Sequence, residues 1–303
     1  VFMPESFSNS TDQPPHLTGV RNLVEDYGYT TFFLDLFGLL HNGVSTYPGT
    51  IDCLQSLRNA NRTICLISNT PKPSRESRHD LADKGITEDL YDHFVTAGDT
   101  AYKALSARDD AFHRQCRGKV WFIGTQPFQT LLDGLDVTQV EGPEDADFIL
   151  NVIPGTGPTN RDFMRRQFET AITRDLPMVC ANPDRVVHIG ESLHECAGTY
   201  AAIYEAMGGR VAWHGKPFSA IYARARELCG TDKGDICALG DSLQTDIAGA
   251  NGFGIAGVLN LRGIHWEEFA LDHAPERADM DKVRSVITEQ GHKPLALING
   301  FAW

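Results

Sequence analysis

The chain has 303 residues, 42% of them hydrophobic and 22% charged, a composition that can bury a full core and excludes disorder as the default state. Its 27 Lys and Arg face 40 Asp and Glu, a net charge of −13. That balance argues against a general nucleic-acid or membrane-surface binder, since both need a positive face, but it leaves room for an anionic substrate in a locally positive pocket.

Residues 1–17 read as a flexible tail without the basic-then-apolar layout of a secretory signal. The first apolar run, Thr30 to Leu34, stops at Asp35. Ile51, Leu54 and Leu57 then make a helical stripe that Asn61 ends, and Thr63 to Ile67 is a second apolar run, stopping at Ser68. Strand, helix, strand is the unit of a doubly wound sheet, and continuous apolar strands suit a parallel sheet covered on both faces. The middle of the chain repeats the alternation: strands Lys119 to Ile123 and Phe148 to Ile153, a helix Phe163 to Thr173, and a strand Pro177 to Ala181. A loop from Asn182 to Gly198 and a helix Thr199 to Met207 follow. A third apolar run, Asp235 to Leu239, leads into Gly240 and Asp241, and the apolar end, residues 294–303, is expected to pack.

The expected fold is therefore α/β, a doubly wound parallel-sheet core from residues 18–99 and 209–303 with a second α/β domain inserted at 100–208. Ligands of such sheets gather at the carboxyl ends of the strands, where Asp35, Ser68 and Asp241 fall. Seven cysteines, an odd count with no C-x-x-C pair, point to reduced thiols and a cytoplasmic protein. No run approaches the roughly 18 apolar residues of a membrane span.

Four separated pieces fit one chemistry: LDLFGLLHNG (34–43), ISNTPKP (67–73), HGKP (214–217) and LGDSLQTDIAGANGFG (239–254). Phosphoryl transfer needs a nucleophile, a metal to spread charge and donors for the equatorial oxygens. Asp35 at a strand end is a candidate nucleophile, and Asp241 on another strand end is a candidate Mg²⁺ ligand. Ser68, with the amides that follow it, can grip a phosphoryl group, and Lys216 can neutralise it. Asp246 and Ser242 are placed to fix the metal's waters.

On these pieces, in this order, the chain resembles the haloacid dehalogenase superfamily. Within it the likeness is to proteins with a large α/β cap, the NagD-like and p-nitrophenylphosphatase-like class. Asn182-Pro183-Asp184 and Cys196-Ala197-Gly198 also look like that class's cap loop. The resemblance implies a Rossmann-like core, Mg²⁺ as cofactor and phosphatase activity on a small phosphorylated metabolite. It implies Asp35 as nucleophile, Asp35, Asp241 and the Phe37 carbonyl as metal ligands, and Ser68, Asn69, Thr70 and Lys216 as phosphate binders. Asn182, Asp184 and His188 would select the substrate, and caps of this size often pair, so a homodimer through the cap is expected.

One residue departs from the pattern. Most of the superfamily has Asp-x-Asp at the nucleophile, and the second Asp protonates the leaving group and later activates water. Here that position is Phe37. Three readings stay open: hydrolysis restricted to good leaving groups such as acyl or aryl phosphates, a substitute acid with His41 nearest in sequence and the cap histidines His188 and His194 weaker, or lost hydrolysis in a phosphate-ester binder or a lyase or transferase. Dehalogenation would excuse Phe37 but needs no metal, and the metal carboxylates are present. Gly155-Thr156-Gly157 lacks the rest of a dinucleotide fingerprint, and the Glu191, His194, Glu195, Cys196 group has no recognised ligand spacing.

Overall fold

The computed structural model describes residues 13–152, 161–189, 192–269 and 278–303, with the backbone alone at 188, 189, 192 and 193. The Gly155–Gly157 run and Glu191 lie outside the described residues. In chain order the first sheet begins with β1 (Thr31–Leu34), β2 (Thr63–Ser68) and β3 (His93–Thr96). The chain then builds a second sheet from β4 (Gly118–Ile123), β5 (Val137–Val140), β6 (Phe148–Asn151) and β7 (Pro177–Cys180). A hairpin follows, β8 (Val186–Ile189) and β9 (Ser192–Glu195), and then β10 (Arg210–Trp213). The chain returns to the first sheet with β11 (Ile236–Gly240), β12 (Ala256–Asn260) and β13 (Ala296–Ile298).

Both large sheets are parallel, with orders β13-β12-β11-β1-β2-β3 and β10-β7-β6-β4-β5. All four residues of β1 are buried, which explains the unbroken apolar run. Phe32 and Leu34 enter one core with Leu54 and Leu57, while Phe33 enters another with Ile221, Tyr222 and Ala225. The second sheet is likewise covered on both sides, by Phe168, Tyr200 and Tyr204 on one face and Ala101 and Leu105 on the other. Among the described residues no helix is long and apolar enough to cross a membrane. All seven cysteines are free thiols.

Four sequence expectations shift. The tail read as 1–17 is pinned at its inner end, where Leu17 N–H donates to the Leu297 carbonyl at 2.8 Å and Leu297 N–H to the Pro15 carbonyl at 2.9 Å. The second sheet takes β10 from beyond residue 208, and the helix Ala97–Ala107 runs across the 99/100 boundary. The loop read at 182–198 contains the β8–β9 hairpin, and its helix begins at Ala197. The helix read from Phe163 starts at Arg161.

Candidate active site

Register brings the chemistry to one edge of the first sheet. Leu34 lies opposite both Leu66 and Leu239, so Asp35, Ser68 and Asp241 leave neighbouring strands within two residues of each other. Asp35 N–H continues the ladder to the Leu239 carbonyl at 2.9 Å. Asp246 arrives by a different device. Ser242 Oγ accepts from Thr245 N–H at 3.2 Å and starts a wide π-type turn, Leu243–Ile247, which carries Asp246 back over the strand end. There its Oδ2 accepts from Ser242 N–H at 3.1 Å.

Asp35, Asp241 and Asp246 are all buried, and each offers an oxygen within 4.8 Å of the other two. Lys216 enters between two of them. Its Nζ donates to Asp35 Oδ1 and, at 2.7 Å, to Asp246 Oδ1. Asp246 therefore holds the lysine rather than a metal's waters alone. Asp241 Oδ2 accepts from Ile264 N–H at 2.8 Å. Its carboxylate is cradled by two glycines in conformations that other residues rarely adopt: a Cβ on Gly38 or Gly263 would lie 2.0 or 2.1 Å from Oδ2.

One ammonium does not balance three buried carboxylates. Burial pushes the Asp35 carboxyl up to about 7, Lys216 opposing and Asp246 adding to the rise. Burial, then Asp35 and Asp246, hold Asp241 well above the usual carboxylate range. Burial disfavours charged Lys216, but Asp246 and Asp35 outweigh it and raise the lysine above its ordinary value. Clustered hard oxygen donors with excess negative charge are what a small divalent cation neutralises, so the residues fit Mg²⁺.

The remaining expected residues divide. Ser68 Oγ accepts from Thr70 N–H at 3.2 Å, which orders the turn and leaves the hydroxyl proton for a ligand. Thr70 Oγ1 accepts from Lys72 N–H at 3.3 Å. Asn69 spends its side chain inside the protein: Oδ1 accepts from Lys216 N–H at 2.6 Å, and Nδ2 donates to the Lys216 carbonyl at 3.0 Å and to Asp184 Oδ1 at 2.8 Å. Asn182 Oδ1 accepts from Asp184 N–H at 3.1 Å, so it shapes the loop. The His188 side chain lies outside the described residues.

Phe37 is 41% exposed and stands edge-on to His41, ring centroids 6.0 Å apart. The loop from Phe37 to Thr46, the flap, is closed by bridges between Phe37 and His41 and between His41 and Thr46, and a Cβ on Gly43 would meet the Phe37 ring at 2.9 Å. His41 Nδ1 accepts from Gly43 N–H at 3.0 Å, and its carbonyl accepts from Gly38 N–H at 2.9 Å. Burial, with Lys84 adding, lowers the imidazole to about 4. At neutral pH His41 is thus a neutral acceptor that shapes the flap, not a poised acid. His41→Asn, which keeps an acceptor for Gly43, is expected to retain turnover within about threefold, since the hydrogen bond carries only about 1 kcal/mol. The sign of its pH dependence follows. Between 6.5 and about 4 the unfolded chain binds a proton that folded His41 refuses, so stability falls as pH drops through this window. Urea midpoints across it will fall less for the Asn variant than for the parent.

Sequence reasoning missed three contributors. Asn260 Nδ2 donates to the carbonyls of Gly38 at 2.9 Å and Arg262 at 2.7 Å, tying the flap to the loop behind Asp241. Its signal was the one used elsewhere, an apolar run ending in a polar residue, shortened to AGVLN. Ile264 supplies a backbone donor, which no residue type announces. Two residues before Lys216 in the chain, buried His214 meets His113 with Nε2 atoms 3.1 Å apart, and Asp110 lies 2.6 Å from His113 Nδ1.

Known proteins resemble this chain in sequence and fold. A haloacid dehalogenase-like hydrolase family matches residues 32–138, and a second, HAD-like hydrolase family matches 213–286. The chain belongs to the haloacid dehalogenase-like hydrolases. The crystal structure of a haloacid dehalogenase-like hydrolase from Brucella suis 1330 superposes with a TM-score of 0.77 at 28% identity, covering 94% of this chain and 100% of that one. Phosphoglycolate phosphatase 2 of Arabidopsis thaliana is 25% identical, over 80% of this chain and 86% of its own. Sugar-phosphatase AraL of Bacillus subtilis is also 25% identical, over 76% of this chain and 82% of its own.

Proposed function

We propose that the protein is a Mg²⁺-dependent phosphatase of a small phosphorylated metabolite, with Asp35 as nucleophile. The observation that carries this is the meeting of Asp35, Asp241 and Asp246 within 4.8 Å, with the Lys216 ammonium bonded to Asp35 and Asp246. The names of the relatives, a phosphoglycolate phosphatase and a sugar-phosphatase, support the same class of reaction. A Mg²⁺ held by Asp35, Asp241 and the Phe37 carbonyl would offset charge on the phosphoryl oxygens.

Asp35 attacks phosphorus and displaces the leaving oxygen, giving an aspartyl-phosphate that water then hydrolyses. The Ser68 hydroxyl, its oxygen already held by Thr70 N–H, and the Asn69 backbone amide bind the equatorial oxygens, and Lys216 compensates their charge. The inserted segment read at 100–208, with β10 added to its sheet, would serve as the cap that chooses the substrate. Phe37 carries no proton, and His41 is a neutral acceptor already engaged by Gly43. Substrates with good leaving groups, acyl or aryl phosphates, are therefore favoured over alkyl esters.

The test is phosphate release from acetyl phosphate, p-nitrophenyl phosphate and sugar phosphates with Mg²⁺. Release on the first two, abolished by EDTA and restored by Mg²⁺, is the expected result. Saturable binding of a phosphate ester with no release from any of them would instead make the protein a silent binder.

A further inference from the structure

The Asn69 side chain has no N–H left for a phosphate. Both Nδ2 hydrogens are directed into protein, to the Lys216 carbonyl at 3.0 Å and Asp184 Oδ1 at 2.8 Å, and Oδ1 takes Lys216 N–H at 2.6 Å. An amide that accepts from a residue's N–H and donates to the same residue's carbonyl fixes the two peptide groups that flank its Cα. The residue so fixed is the lysine whose Nζ reaches Asp35 and Asp246.

The far end of this clasp is in the inserted segment. Asp184 follows β7, the central strand of three beside β10 and β6, and its backbone is held by Asn182 Oδ1 at 3.1 Å. Its carbonyl accepts from Gly198 N–H at 3.1 Å, at the start of the helix Ala197–Ala206. The packing leaves no slack, since a Cβ on Gly215 would lie 2.7 Å from Asn69 Oδ1 and 2.8 Å from the Pro183 ring. Asn69 is 6% exposed and Lys216 2% exposed, so the bonds are shielded from competing water.

We propose that Asn69 and Asp184 are positioning residues that act through Lys216, making the cap loop part of the support of the catalytic lysine. This rests on the phosphatase reading for its kinetic test, but the geometry makes a binding prediction as well. Loss of the clasp lets the lysine drift, and displacements near 1 Å at a reacting centre cost on the order of 10²-fold. Asp184→Ala and Asn69→Ala are each expected to lower kcat/KM for p-nitrophenyl phosphate by about 10- to 100-fold. Asp184→Asn keeps an oxygen for Asn69 Nδ2 and is expected to stay within about threefold of the parent, because the acceptor matters here and the charge does not.

The decisive reading is a double-mutant cycle with Lys216→Ala. Residues that act through the lysine lose their effect once it is gone, so Asp184→Ala should change nothing further in that background. An Asp184→Ala loss that persists undiminished without Lys216 overturns the proposal, as does parental activity in Asp184→Ala. A loss in Asp184→Asn equal to that in Asp184→Ala also overturns it, and this comparison decides the matter if Lys216→Ala does not fold. If no variant or parent turns over any ester, the phosphatase reading fails. The clasp then stands or falls on calorimetric affinity for inorganic phosphate with Mg²⁺, expected to drop about tenfold in Asp184→Ala and to hold in Asp184→Asn.

Discussion

Asp35→Asn is expected to abolish turnover, by about 10³-fold or more, while leaving the protein as stable as the parent or more so. An amide oxygen cannot displace the leaving group and form the covalent intermediate, so the loss falls on kcat. The stability outcome has a separate cause. In the parent, three buried carboxylates share one ammonium, and burial pushes Asp35 up to about 7. Asn removes one negative charge from that cluster, retains an oxygen for Lys216 Nζ, and relieves repulsion on Asp241 and Asp246. Melting in EDTA should therefore show an equal or higher Tm. Added Mg²⁺ should raise the Tm of the parent more than that of the variant, because ligand binding to the folded state stabilises by mass action. Residual Asp35→Asn turnover above a tenth of the parent would place the nucleophile elsewhere.

The residues that make this prediction possible were readable in sequence, and the bonds that qualify it were not. Runs such as TFFL and ICALG announce themselves because strands buried on both faces need only apolar residues. A polar residue at the end of such a run marks the edge where ligands bind, which is how Asp35, Ser68 and Asp241 were found. β10 was overlooked because Arg210–Trp213 lies only partly buried and opens on a charge. The hairpin Val186–Glu195 hid in a segment whose Gly, His and Glu content reads as loop. Asn69 and Asp184 are 115 positions apart, and nothing local distinguishes an amide aimed at phosphate from one clasping a peptide. His41 shows the same limit. Its residue type suits proton transfer, yet one backbone N–H from Gly43 and its burial fix it as a neutral acceptor.

The open position in the mechanism can be filled by substitution. Phe37→Asp is expected to raise kcat/KM for alkyl phosphates by about 10²- to 10⁴-fold, the usual contribution of a general acid. The flap tolerates the change because Phe37 is 41% exposed and its removal leaves no cavity in a closed core. The turn keeps its own bonds: Gly38 N–H to the His41 carbonyl at 2.9 Å, Gly43 N–H to His41 Nδ1 at 3.0 Å, and Thr50 Oγ1 to the Leu40 carbonyl at 3.1 Å. A carboxyl at position 37 starts two residues from the nucleophile, beside a cluster whose negative charge and burial already raise Asp35 and Asp241. The same field would keep the new carboxyl protonated closer to neutral pH, as an acid requires. Acetyl phosphate, whose leaving group departs without a proton, should gain less than tenfold, so the informative quantity is the ratio of alkyl to acyl rates. A large rise in that ratio, with a new alkaline limb in the pH profile, assigns the missing step to position 37. An unchanged ratio would mean that the flap holds residue 37 away from the leaving group, and that this chain's selectivity arises elsewhere, in the loop that reaches Asn69 through Asp184.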